Sequence, residues 1–206
     1  MPDAAGPFGY EQPNSASDDY NAHSFLIEQA INRMATTTLV VVRRVNSPGG
    51  NAAVGTVDVQ PMVNQLDGAG QATPHGIVHN LPYFRLQGGA NAVIMDPAVG
   101  DIGIAMFASH DISSVKASRR VANPGSRRRF SYADGLYIGG VLNGQPSQYV
   151  SFTADGITIQ SPGRITLSAP TVAVMGGTLT HNGVNVGATH RHTAVQPGGG
   201  TSGVPG

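Results

Sequence analysis

The spacing of apolar and polar residues changes along this chain, and each change marks a boundary. Between His23 and Met34, the residues Ile27, Ile31 and Met34 recur at i, i+4 and i+7, with Asp18, Asp19 and Asn21 ahead of them as caps. That spacing predicts one amphipathic helix, within an N-terminal arm of residues 1–35. A single short helix must bury its stripe on something. The expected surface is the domain that follows; the alternative is a neighbouring protein. From Thr36 the period becomes two. Residues 39–45 are β-branched and end at Asn46-Ser47-Pro48-Gly49-Gly50, and residues 54–63 alternate towards Asp67-Gly68. Residues 83–86, 92–95 and 102–107 follow, the last after turn signals at Asp96-Pro97 and Gly100-Asp101. Five strands in so short a stretch predict a small antiparallel barrel of the OB-fold type over residues 36–112. The segment holding His75, Ile77 and His79 reads as a loop between the second and third strands.

Past the barrel the pattern changes twice more. Residues 113–135 form a basic connector: Lys116, Arg119, Arg120, Arg127, Arg128 and Arg129 make up half of the 12 lysines and arginines. Over residues 136–187 the alternation shrinks to pieces of three, Ile157-Thr158-Ile159, Ile165-Thr166-Leu167 and Val172-Ala173-Val174, which begin 8 and 7 residues apart. Leu179-Thr180 and Val184-Asn185-Val186 continue the series across Gly176-Gly177 and Asn182-Gly183. Strands this short make no stable sheet alone, and stacked rungs gain stability only from their neighbours. Identical chains that each supply one face of a common apolar interior solve the problem. An intertwined β-helical shaft follows, with a homotrimer as its simplest closed form. A single-chain β-solenoid and a further small sandwich domain remain as alternatives.

Composition narrows the class. The chain of 206 residues carries 28 glycines and 14 prolines, and only 12% of it is charged, with Glu11 and Glu28 the only glutamates and Lys116 the only lysine. Helix surfaces draw on Glu, Lys and Ala, so a mainly helical protein is excluded. A 40% hydrophobic content supplies a core. The absence of cysteine excludes disulfides, a thiolate zinc site and a cysteine nucleophile. A formal net charge of zero argues against nucleic-acid binding over the whole surface. No run approaches the length of a membrane-spanning helix. The acidic, polar stretch from Met1 to Tyr20 has no character of a signal peptide, so synthesis in the cytoplasm is expected.

The sharpest local feature lies in residues 188–206, where Thr189-His190-Arg191-His192-Thr193 precedes a Gly/Pro-rich end. In an extended segment His190 and His192 share a face. Alone, a His-x-His pair is commonly two exposed polar residues. Around a threefold axis the count becomes six imidazoles, enough for an octahedral site without cysteine or carboxylate. Six-coordination disfavours structural zinc and puts iron(II) first, one ion per trimer, with another octahedral transition metal as the alternative. Such an ion would pin three chain ends that have little core of their own. His181, one rung back, is placed to hydrogen-bond within the shaft; His23, His75, His79 and His110 are scattered and receive no role.

The order of barrel, connector, repetitive β segment and terminal Thr-His-x-His followed by Gly-Gly-Gly-Thr-Ser-Gly resembles the central membrane-puncturing spike proteins of contractile-tailed bacteriophage baseplates. Residues 54–61 (Val-Gly-Thr-Val-Asp-Val-Gln-Pro), 97–104 (Pro-Ala-Val-Gly-Asp-Ile-Gly-Ile) and 127–135 (Arg-Arg-Arg-Phe-Ser-Tyr-Ala-Asp-Gly) are also similar to that family. The resemblance spans about residues 36–206. It implies an N-terminal OB-fold, a trimeric β-helix and a pointed apex where paired histidines hold iron, here His190 and His192. It also implies a place at the tip of the tail baseplate of a virion. Tail-tube and baseplate hub proteins would grip the N-terminal arm and barrel, and the host outer membrane would be the target struck on tail contraction. The shaft, about 50 residues, is short for the family, so a compact spike is expected.

Other functions fare worse on the same residues. The chain has no Gly-x-Ser-x-Gly elbow, and Pro197-Gly-Gly-Gly-Thr-Ser lacks the lysine of a phosphate-binding loop. Glycan hydrolysis needs two positioned carboxylates; both glutamates precede residue 29, and Asp67, Asp134 and Asp155 each precede a glycine in turn-like positions. No enzyme and no small-molecule substrate is expected. An OB barrel that binds single-stranded nucleic acid needs aromatics in a basic groove, whereas the arginines cluster after Tyr83, Phe84 and Phe107, so no nucleic-acid partner is expected. Arg127, Arg128 and Arg129 read as solvated or paired between subunits, with contact to lipid headgroups or nucleic acid as the alternative. A trimeric receptor-binding tail fibre would carry recognition loops at its far end, where this chain has Gly, Thr, Ser, Val and Pro. The spike of a contractile secretion apparatus is barely separable from a phage spike on sequence.

Overall fold

The computed structural model describes residues 17–66, 71–191 and 198. By its internal contacts the chain divides into two units, Met1–Gln145 and Pro146–Gly206. The first begins with helix α1 (Asp19–Asn32), where the Asp18 side chain caps the free Asn21 N–H at 2.9 Å. The strands of this unit are β1 (Thr37–Asn46), β2 (Thr56–Pro61), β3 (Gln65–Leu66), β4 (Ala72–Thr73), β5 (Val78–Pro82), β6 (Leu86–Gly88), β7 (Asn91–Val93), β8 (Ile102–Phe107) and β9 (Gly135–Gly140). A second, six-residue helix, α2 (Ser113–Ser118), lies in the basic connector, where the sequence pattern predicts no helix.

The protein is mainly β, and its centre is a curled five-stranded antiparallel half-barrel in the order β5-β2-β1-β8-β9. Strand β1 shows how sequence sets the curl. Val40 and Val42 point inward and are fully buried; a bulge between Val42 and Arg44 then shifts the register, so that Arg43 and Arg44 both stay exposed while Val45 returns to the core. Val57 and Val59 of β2, Ala35, Leu81, Tyr83, Ala105, Phe107 and Tyr137 share the interior with Val40 and Val42. The two edges meet at one point, where a bridge pairs Tyr83 with Tyr137 and the Phe84 N–H donates to the Tyr137 carbonyl at 2.7 Å.

Three of the five sheet strands, β1, β2 and β8, fall where alternation predicts them. The other two differ. Val78–Pro82, expected as a loop, is edge strand β5, and the opposite edge is Gly135–Gly140. The expected strands at 83–86 and 92–95 overlap the observed ones only at Leu86, Ala92 and Val93; residues 86–88 and 91–93 pair as a small separate hairpin. Helix α1 also departs from expectation. Its Ile27 and Ile31, and Met34 just past its end, are exposed, and no residue of the helix is buried.

The second unit holds β10 (Tyr149–Thr153) paired with β11 (Gly156–Gln160), and β12 (Thr180–His181) paired with β13 (Val184–Asn185). Asn182 and Gly183 both have positive φ, 48° and 78°, which is the backbone a two-residue hairpin loop demands. Residues 165–167 and 172–174, predicted as rungs, form no strand pair among the described residues. Among the described residues of this unit none is buried.

Candidate functional site

The histidine pair falls at the edge of what the structure describes: His190 lies within it, and His192 lies outside the described residues. The chain reaches His190 through a small knot of polar bonds. Gly187 N–H donates to Asn185 Oδ1 at 2.9 Å, and Asn185 Nδ2 donates to Thr189 Oγ1 at 2.8 Å. The Val186 N–H donates to the Leu179 carbonyl at 2.7 Å, tying the segment to the strand pair β12–β13. His190 is exposed, and its Nδ1 sits 2.7 Å from the Gly187 carbonyl. A carbonyl only accepts, so that contact makes Nδ1 the protonated nitrogen and leaves the lone pair of the neutral ring on Nε2. Histidines that ligate metals are oriented by the same kind of bond to a backbone carbonyl. His190 is therefore chemically fit to be a ligand. Among the described residues no three His, Asp or Glu side chains of one chain gather into a metal site.

The remaining histidines are placed by other partners. His23 Nδ1 lies 2.6 Å from the Asp19 carbonyl, and His110 contacts Ser109 Oγ and Arg129 Nη2 at 2.9 Å each. The His75 ring meets Tyr132 at 5.5 Å. His79 Nδ1 lies 2.9 Å from the buried Asp58 carboxylate, which also accepts from Asn46 Nδ2 and the Asn80 N–H at 3.0 Å each. Burial pushes the Asp58 pKa up, but the Asn80, His79 and Asn46 bonds together bring it below the usual carboxylate range. Asn80 holds a positive φ of 60° to make its bond. His181 is exposed on β12.

Two further charged clusters escaped the sequence reading. Arg128, expected to be solvated or to pair between subunits, instead clamps two carboxylates of its own chain. Its Nε and Nη2 donate to Asp134 at 2.7 and 2.9 Å, and Nη2 lies 3.0 Å from Asp111. Asp134 is fully buried and also accepts from the Ile112 N–H at 3.1 Å. The Arg128 bond, against the cost of burial, lowers the pKa of Asp134. Bonds from Ser113 and Ser126 lower that of Asp111. In the second cluster Asp96 accepts from Tyr83 Oη and from Arg85 Nη2, both at 2.7 Å, while Arg85 Nη1 donates to the Ala52 carbonyl at 2.7 Å. Sequence offered Asp134-Gly135 as a turn; the ion pairs that define these clusters join residues 6, 11 and 17 apart, so no local pattern announces them.

A cleft of about 290 Å³ lies along the β6–β7 hairpin and β9, lined among others by Phe84, Leu86, Val93, Met95 and Ile138. Tyr137 Oη and Arg85 Nε are buried without hydrogen-bond partners among the described residues. Burial and the nearby Asp101 charge raise the Tyr137 pKa. Asp96 and Asp101 at this cleft are both engaged, the latter accepting from the Ala98 N–H at 2.8 Å. No family model matches the chain, and no curated protein matches it significantly.

Proposed function

We propose that the protein is one-third of the central spike of a contractile tail, a homotrimer driven through the host outer membrane when the tail contracts. The observation that supports this reading best is the apolar face of the second unit. On the β10–β11 hairpin Val150 stands opposite Ile159 and Phe152 opposite Ile157, all on one face, at 56%, 57%, 77% and 65% exposure. Leu167, Val172 and Val174 beyond the hairpin are exposed as well. Burying one such side chain stabilises by about 1.5–3 kcal/mol, and an apolar stripe of this length marks an interaction surface. Three chains around one axis bury every stripe at once and need no other component, which makes the segment a shared β-helical shaft. The half-barrel serves as an OB-type base, and with the N-terminal arm it meets the tail tube and hub.

At the far end His190 and His192 of three chains supply six imidazoles for a single iron(II) ion. When bound, the ion supplies a cross-link between three chain ends under load. The work of penetration comes from tail contraction, and no catalytic cycle is required. The test is mass in solution and metal content on the same sample. A mass of three chains with about one iron per trimer is expected, and His190→Ala with His192→Ala should remove the metal while the trimer persists. A monomer would overturn the shaft; a trimer without metal would overturn the apex.

A further inference from the structure

Helix α1 leaves its apolar residues largely exposed. Ala22, Phe25 and Gln29 are half-buried, whereas Tyr20, Leu26, Ile27 and Ile31 are 79%, 60%, 59% and 60% exposed. Tyr20, Ile27 and Ile31 recur at intervals of 7 and 4, as in the 3.5-residue seam of a left-handed coiled coil, and Met34, three residues further on and just past the helix end, continues the spacing. Tyr20 and Ile27 take the d positions, and Ile31 and the small, half-buried Ser24 take the a positions. A helix of 14 residues with none buried is marginal in water.

We propose that this face packs in parallel against the same face of two further copies, forming a three-helix seam at the N-terminal end. The proposal rests on the trimer argued above and extends it to a second point of attachment. Two features select copies of this chain as the occupant. Isoleucine at both a core d and a core a position, Ile27 and Ile31, favours three strands over two. Flanking the seam, His23 at g precedes Glu28 at e by five residues, the spacing at which side chains of adjacent parallel helices meet, so no like-charged pair is forced together. The Ala35 N–H bond to the Phe130 carbonyl, 2.9 Å, ties the chain just past each helix to its own connector. Three copies therefore present their helices from equivalent points.

The chain has no cysteine, so one introduced thiol reports its neighbour cleanly. In the full chain, Ser24→Cys treated with a short bismaleimide should give covalent dimers on a denaturing gel, while Arg33→Cys, off the seam, should not. Adding Ile27→Asp and Ile31→Asp to Ser24→Cys should lower the cross-linked fraction at least tenfold with the trimeric mass retained. A trimer in which Ser24→Cys fails to cross-link, or cross-links no better than Arg33→Cys, overturns the seam and leaves the shaft standing; a different partner protein for α1 would give that result. A monomeric wild-type mass overturns seam and shaft together.

Discussion

Arg128 touches two carboxylates, one of them with no solvent exposure at all, and this decides what its removal does. In Arg128→Ala the charges of Asp134 and Asp111 lose their counterion while staying buried, the costly way to break such a pair. Solvent reaches the arginine side chain, 38% exposed, and screens part of the effect. A fall in Tm of roughly 5 °C is expected by calorimetry. The same carboxylates set the acid limit. Asp134, Asp111, Asp96 and Asp58 all have pKa values below their ordinary range in the folded state. The unfolded chain therefore takes up protons first as pH falls, and the stability these groups contribute at neutral pH is lost progressively below about pH 4. Urea midpoints followed by circular dichroism should hold near neutrality and drop at pH 3, with a shallower drop in Asp134→Asn, whose site no longer titrates. Gly103 gives a steric counterpart. A Cβ there would meet Tyr137 Oη at 2.5 Å and Cε2 at 2.7 Å, and would also strike the Gly139 carbonyl, which is backbone and has little room to give. Gly103→Ala should cost about 1–3 kcal/mol in a denaturant titration.

At the scale of elements, legibility followed periodicity. Strand β2 alternates valine against polar residues, β1 and β8 are short apolar runs bounded by turn signals, and the sequence pattern finds all three. Strand β5 hides because its middle carries His79 and Asn80, and Asn80, at positive φ, bonds Asp58, a partner 22 residues away. Strand β9 hides behind the arginines that precede it; its glycines look like a linker, yet Gly135 lies against Phe107 and Leu81, where a Cβ would come within 2.6 and 2.8 Å. For the candidate site, the sequence offered His190 as a ligand, and the Gly187 contact gives the tautomer such a role needs. No pattern located the Arg128 clamp. The hairpin β10–β11 carries its own prediction. Phe152→Asp alters a side chain 77% exposed in a single chain, so in a monomer its effect on stability should stay within about ±0.5 kcal/mol. In a shaft of three chains it places charge in a dry interior, and light scattering should report loss of the trimer. A trimer unchanged by Phe152→Asp would exclude that face from the assembly.

For the whole molecule, the two units store stability differently, and concentration separates them. The first owns a core of ten buried hydrophobic residues among those described, so its unfolding is a property of one chain. The second has no buried residue among those described, so in the proposed assembly its order comes from other copies. Association binds the folded form by mass action, which makes the apparent stability of an assembled part depend on protomer concentration. Two thermal transitions should therefore appear: one fixed, and one that rises with concentration. The concentration-dependent transition should also respond to metal, because an ion at the apex adds a ligand that only the assembled form binds. Chelation should lower it and iron(II) should restore it, while the fixed transition stays in place; His190→Ala with His192→Ala should start low and respond to neither. A metal response in that double variant would assign the ion to other residues. Two transitions that both ignore concentration would mean that the exposed apolar face is not what holds the second unit in order.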